Sequence, residues 1–236
     1  MTIWLALLLL SSTPSFDHAR FNEVLKTHVK NGRVDYKAVG IDENFKSYIA
    51  ALQHANPNAL TTREEKLAFW INAYNAITIN FITKNPTIKS IRDITPNVWK
   101  EQTFSIGGKP YTLDEIEHKI IIGELNEIRA HFVLVCAAKS CPPLRSQAYT
   151  PSKVSKQIDE QAKAFLNNPQ RNRFDAATKT LHLAKIFEWF KDDFTKVSGS
   201  VQKFIEPYLA KESDRALLMQ SDVRIEYLDY DWSLND

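Results

Sequence analysis

The stretch TREEKLAFWINAYNAITINFITKN, residues 62–85, decides the fold. Thr62 with Glu65 three positions on is a capping box, the signature of a helix start, and Pro86 stops the helix that follows. Between them Leu67, Phe69, Trp70, Ile71, Tyr74, Ile77, Phe81 and Ile82 encircle a 3.6-residue turn and leave no face for water. Such a helix belongs at the centre of a domain. It carries Asn72 and Asn75 inside with it, one turn apart. A buried amide demands partners, so the two are either struts for neighbouring backbone, the favoured reading, or polar lining of a ligand pocket.

The flanks supply what packs around this helix. Phe21, Val24, Leu25 and Val29 recur at helical spacing up to Asn31-Gly32, VDYKAV (34–39) reads as extended, and Asp42 to Ala55 reads as a second helix. TFSIGGKPY (103–111) predicts a hairpin around Gly107-Gly108. Thr112 and Glu115 cap a further helix, LDEIEHKIIIGEL (113–125). HFVLVC (131–136) is apolar on both faces and predicts a covered central strand, which Pro142 and Pro143 end. A helix from Thr150 to Leu166, a hairpin over NRFDAATKTLHLA (172–184), helices over AKIFEWFKDDF (184–194) and VQKFIEPYLA (201–210), and a strand in VRIEYLDY (223–230) complete the chain. The class is α+β: one domain with a buried central helix on a small, mostly antiparallel sheet and several peripheral helices. No repeat or linker divides residues 16–236.

Composition narrows the function. Lys+Arg 30 against Asp+Glu 28, with no basic run, gives no footprint for nucleic acid. The apolar run Ile3–Leu10 followed by Ser11, Ser12, Thr13 and Ser15 predicts a signal peptide over residues 1–15, hence an exported, periplasmic or secreted protein. That run is too short to span a bilayer, so no transmembrane span is expected. Phosphate-binding and dinucleotide loops, HExxH, CxxC pairs, EF-hand spacing and the GxSxG elbow do not occur, which predicts no cofactor and no metal. Oligomeric state is open.

Chemistry concentrates around Cys141, in a Ser-Cys-Pro-Pro turn directly after the expected strand. As a nucleophile its thiol needs a base or a cation. Lys139 and Arg145, nearby in sequence, can supply positive potential or grip a ligand. His131 is one base, although five strand steps place it about 16 Å from Cys136. His118, on a separate element and next to Glu117, is the other, and Glu117 against His118 would reproduce base-plus-orienter logic. The bland alternatives are a Cys136–Cys141 disulfide or inert core thiols, a structural His131, and a solvated acidic first turn around His118. The aromatics Trp70, Tyr74, Phe187, Trp189, Phe190, Phe194, Tyr230 and Trp232 are read as core.

The segments EKLAFWINAYNAITI, YTLDEIEH, HFVLVCAAKSCPPL, AKIFEWFKDDF and YLDYDWSLND, in this order, resemble the family known as domain of unknown function 547, from about Val34 to Asp236. The resemblance implies a functional set of Asn72, Asn75, Glu117, His118, His131, Cys136 and Cys141. A buried helix followed by a segment beginning with His is also similar, more distantly, to the papain and transglutaminase scaffold. There the nucleophilic Cys heads the central helix, and residues 61–85 here contain none. The reading that follows is an exported, thiol-dependent hydrolase or transferase acting on a small-molecule or peptide ligand, with Cys141 as nucleophile and His118 or His131 as base. Its rivals are a non-catalytic ligand-binding module with a Cys136–Cys141 disulfide and an envelope interaction protein.

Overall fold

The computed structural model describes residues 16–236, so the expected signal peptide lies outside the described residues. Helix α4 (Arg63–Thr83) is the axis around which the rest is wrapped. Its capping box is complete: the Glu65 amide donates to the Thr62 hydroxyl at 3.1 Å and the Thr62 amide to the Glu65 carboxylate at 3.0 Å. Every residue from Leu67 to Ile82 is buried. At roughly 1.5–3 kcal/mol for each large apolar side chain removed from water, this helix contributes a major share of the hydrophobic stabilisation.

The amino-terminal side of the shell is helical. Helix α1 (Ala19–His28) leads through the two-residue strands β1 (Val29–Lys30) and β2 (Arg33–Val34) into α2 (Tyr36–Ile41) and α3 (Glu43–Gln53), all joined to one hydrophobic core with α4. The extended piece expected over VDYKAV is therefore confined to its first residue. Asp35 accepts a hydrogen bond from the Ala38 amide at 2.9 Å and starts α2 instead, an N-cap of ordinary kind.

After the short helix α5 (Val98–Glu101), strands β3 (Thr103–Ile106) and β4 (Lys109–Thr112) form the expected hairpin. Gly107 turns it at φ 57° while the carbonyl of Ala55 lies 2.3 Å from where a Cβ would stand, so only glycine fits. Thr112 and Glu115 make the expected reciprocal cap. The helix they open is not an α-helix, however: Glu115–Glu124 is wound as a π-helix, a rare form found disproportionately at functional sites.

A larger correction concerns HFVLVC. Residues Ile128–Phe132 form a 3₁₀ turn and 133–136 run without a strand partner. The segment is apolar because it is enclosed, and its backbone is satisfied by a side chain instead of a ladder. Asn75 donates to the Val133 carbonyl at 3.0 Å and accepts from the Val135 amide at 2.9 Å.

Helix α6 (Val154–Leu166) packs on α4 and on the 3₁₀ turn. Beyond it, β5 (Arg173–Asp175) pairs antiparallel with β6 (Thr180–Leu183), and β6 pairs parallel with β7 (Arg224–Tyr227). Between β6 and β7 lie α7 (Ile186–Trp189), α8 (Lys191–Ser198), α9 (Val201–Ile205) and α10 (Glu212–Leu218). The expected single helix over AKIFEWFKDDF is thus two short ones meeting at Phe190, and α10 has no counterpart in the sequence reading. The α+β class stands, with the sheet divided into three small ones around a helical centre. The carboxy-terminal tail laces the 137–140 loop: Lys139 and Ser140 amides donate to the carbonyls of Ser233 and Asp231, and the Asn235 amide to that of Ala137.

Candidate functional site

Where the π-helix, the 131–141 segment, the α7–α8 junction and the tail meet, they enclose a cavity of about 190 Å³. Glu117 and His118 reach it from the π-helix, and His131, Cys136 and Cys141 from the segment after the 3₁₀ turn. Five of the residues singled out in the sequence therefore converge on one space. The 16 Å separation expected along a strand lapses because no strand exists.

One end of this cavity is a buried ion cluster. His131 Nε2 lies 2.9 Å from Asp193 Oδ2, and Nδ1 lies 3.4 Å from Glu117 Oε1. The Tyr74 hydroxyl donates to the other Glu117 oxygen at 3.0 Å. Phe190 stacks on the imidazole with ring centres 4.0 Å apart and planes at 16°. Burial works against a charged His131, but the hydrogen bond to Asp193 and the negative charges of Glu117 and Asp193 outweigh it and raise the imidazole pKa. Burial likewise penalises a charged Glu117, and its contacts with His131 more than compensate, holding the carboxyl below its usual range. Asp193 is lowered chiefly by its hydrogen bond to His131. The cluster clamps an imidazole between two carboxylates that favour its protonated form. Its Nδ1 is nevertheless a buried atom without a hydrogen-bond partner, because the Glu117 contact is too long and poorly aligned for one.

The sulfur pair forms another part of the wall. Both cysteines are free thiols in this structure, not joined in the disulfide that the rival reading allowed. Cys141 is buried, and its Sγ accepts the Cys136 amide at 3.0 Å. Cys136 is partly exposed, and its Sγ lies 3.0 Å from the Tyr230 hydroxyl. Burial, then the neighbouring Cys136 sulfur, pushes the Cys141 pKa well above that of an ordinary thiol. For Cys136 the hydrogen bond that the Cys141 thiol can give outweighs burial, Tyr230 adds another, and the pKa falls. By direction, Cys136 is the more readily ionised sulfur, while burial favours a protonated Cys141. Among the hydrogen bonds of the described residues, none joins either sulfur to an imidazole.

Other expectations shift as well. His118 lines the cavity but is half-exposed, 3.4 Å from Asp114 Oδ1, with its ring centre 6.0 Å from that of Phe190. Glu117 serves His131, not His118. Asn72 and Asn75 do not line the cavity. Asn72 bridges the Tyr149 backbone, donating to its carbonyl at 2.8 Å and accepting from its amide at 2.9 Å, so both asparagines are struts. Lys139 is exposed and Arg145 pairs with Glu160 at 2.9 Å; neither lines this cavity.

The sequence reading missed Asp193, Trp99 and Asp114. It also assigned Trp189, Phe190, Tyr230 and Trp232 to the core, whereas they line the cavity. In the tail, Tyr230 and Trp232 alternate with exposed Asp229 and Asp231, a two-residue rhythm that could have marked one wetted and one enclosed face. Nothing local marks Asp193 apart from Asp192. Among the described residues no group of three His, Cys, Asp or Glu side chains is arranged to hold a metal ion.

Residues 57–166 match the family model described as "Protein of unknown function, DUF547". No curated protein and no solved structure matches the chain. The matched stretch contains the struts, Glu117, His118, His131 and both cysteines, while Asp193, Tyr230 and the tryptophans Trp189 and Trp232 come from the chain beyond it.

Proposed function

We propose that the cavity is the catalytic pocket of a thiol-dependent acyl hydrolase or transferase, with Cys136 as nucleophile and His131 as proton donor. The observation that carries this reading is the opening onto one space of a thiol with a lowered pKa and an imidazole whose protonated form two carboxylates favour. In the resting state His131 is an acid, which revises the role of base. The Cys136 thiolate adds to a carbonyl carbon, forming a C–S bond as the C=O electron pair moves to oxygen. On collapse the bond to the leaving group breaks, and that group takes the His131 proton. Water then cleaves the thioester and returns a proton to the imidazole, or another nucleophile does so in a transfer. The partnerless Nδ1 favours a substrate with a hydrogen-bonding atom at that end. At about 190 Å³ the pocket is smaller than a drug-sized site, which favours a short acyl group, with the remainder of a small molecule or peptide outside.

Iodoacetamide labelling across pH tests the assignment. Cys136 is expected to alkylate well below pH about 8.5, the ordinary thiol value, and Cys141 to resist. Labelling of Cys136 only above that pH removes the activated thiolate and leaves a ligand-binding module. Hydrolysis of short thioesters should vanish in C136S and fall steeply in H131N.

We also propose that the protein is exported, on the strength of the apolar run Ile3–Leu10 and the small residues after it. The mature chain would then begin between Ser11 and Phe16. Mass spectrometry finding Met1 on protein from the envelope fraction would overturn this. Among the described residues no helix is long and apolar enough to cross a membrane.

A further inference from the structure

We infer that Cys136 and Cys141 form a dithiol couple that reduces hydroperoxides, an activity sharing the Cys136 sulfur with the acyl chemistry proposed above but needing neither an acyl substrate nor His131. The ground is the geometry of the turn between them. Cys141 Sγ lies 3.0 Å from the Cys136 amide nitrogen. With an N–Cα bond of about 1.46 Å, that sulfur is within about 4.5 Å of the Cys136 Cα. That proximity puts the Cys141 sulfur beside the residue that carries the other one, and rotation about the Cys136 Cα–Cβ bond is the motion that would bring the two toward the S–S distance of about 2.05 Å.

The backbone is held in place for this. Ala137 sits in the left-handed region at φ 61°, the Cys141 amide closes on the Ala138 carbonyl at 3.1 Å, and the Lys139 amide is fixed to the Ser233 carbonyl at 2.8 Å. Access is unequal: Cys136 is partly exposed at the cavity and Cys141 is buried beside it. A hydroperoxide therefore meets Cys136 first and leaves Cys141 as the resolving thiol. Tyr230, 3.0 Å from Cys136 Sγ, supplies a hydroxyl at the reacting sulfur.

The steps balance. The Cys136 thiolate attacks the terminal oxygen of ROOH; an S–O bond forms, the O–O bond breaks, and RO⁻ takes a proton, replaced from solvent, to leave as ROH. The Cys141 thiol then attacks the sulfenic sulfur. An S–S bond forms, the S–O bond breaks, and the hydroxyl leaves with the thiol proton as water. The two sulfurs have given two electrons to the O–O bond, and an external dithiol restores them by exchange.

The test uses the reduced full chain and hydrogen peroxide, read by intact mass, free-thiol titration and dimedone trapping. Expected are loss of both thiols with no dimedone adduct in the wild type, a dimedone adduct on Cys136 in C141S, and oxidation at least tenfold slower in C136S. C136A repeats the last measurement should the serine variant misfold. Wild-type oxidation no faster than that of free cysteine, C136S as fast as wild type, or a wild-type sulfenate that never resolves would each overturn the inference. H131N separates the two chemistries. Its thioester hydrolysis should fall steeply while the peroxide reaction is kept, and a peroxide rate that falls with hydrolysis would show that no separate couple exists.

Discussion

Two buried histidines in this chain have been driven in opposite directions. His18 lies among Phe16, Tyr48 and Phe69, its Nδ1 2.8 Å from the Tyr48 hydroxyl, and burial lowers its pKa to about 4 against a small opposing pull from Asp17. His131 is as well buried, yet its pKa is raised, because Asp193 and Glu117 offset the desolvation. Burial by itself produces a neutral, structural imidazole. Bringing two carboxylates into the interior beside one is electrostatically expensive, and it favours the protonated imidazole where the cavity opens. The difference separates a packing residue from a working one more sharply than exposure does.

The contrast breaks most visibly on removing Glu117. In E117Q the buried imidazolium loses one of its two counter-charges, and urea denaturation at pH 7 should show a loss of about 4 kcal/mol, the order measured when a buried pair is broken. The His131 pKa, followed by NMR titration, should fall. Unchanged stability and pKa together would mean that the clamp carries no charge.

Acid stability sharpens the same contrast. The His18 pKa is about 4 folded and 6.5 unfolded, so the unfolded chain binds the proton first as pH falls. The stability that His18 lends near neutrality is lost between pH 6.5 and 4, by about 3 kcal/mol. His131 has the opposite sign: its raised pKa gives a contribution complete below 6.5 and lost as pH rises through the folded value. Glu117 and Asp193, both lowered, contribute above their unfolded values and lose this only as pH falls through their folded ones. Stability measured from pH 6.5 down to 4 should therefore decline in wild type and be much flatter in H18Q. An equal decline in H18Q would assign it to other groups.

How much of this was legible depends on the range over which each signal acts. The central helix was, because an all-round apolar pattern with a capping box and a terminal proline has few alternatives; Thr62, Glu65 and Pro86 sit as read. Glu117, His118, His131, Cys136 and Cys141 were found as a set through the family resemblance. Their internal assignment was not legible, since which sulfur is tuned depends on Tyr230, 94 residues from Cys136, and what charges His131 depends on Asp193, 62 residues away. HFVLVC misled for a related reason. Apolarity reports enclosure, not conformation, and the ladder it suggested was replaced by the amide of Asn75, 58 and 60 residues distant from the groups it satisfies. The π-helix was hidden as well, because its opening cap is the same Thr112–Glu115 pair that an α-helix would use.

A smaller effect tests the neutral side. Y48F deletes the partner of His18 Nδ1, and the expected cost is about 1 kcal/mol, that of a hydrogen bond between uncharged groups. A cost as large as that of E117Q, in the same denaturation assay, would mean that His18 is charged in the folded state.

The finest distinction lies in the aromatic neighbours. Phe190 lies face to face with His131 at 4.0 Å, whereas Phe69 stands 6.3 Å from His18 at 49°. An aromatic face attracts a cation and is nearly indifferent to a neutral ring, with about 0.5–1 kcal/mol at stake where solvent is near. Replacing Phe190 by leucine keeps an apolar side chain against the imidazole but removes the quadrupole, so the protonated form of His131 loses support and its pKa should fall slightly. The same exchange at Phe69 should leave the His18 pKa where it is, because that imidazole is neutral near pH 7 with or without the ring. Titration of the two imidazoles by NMR in F190L and F69L reads both at once. A drop at His18 equal to that at His131 would mean that burial changed at both sites, and the stacked ring could no longer be counted among the groups that keep the His131 proton in place.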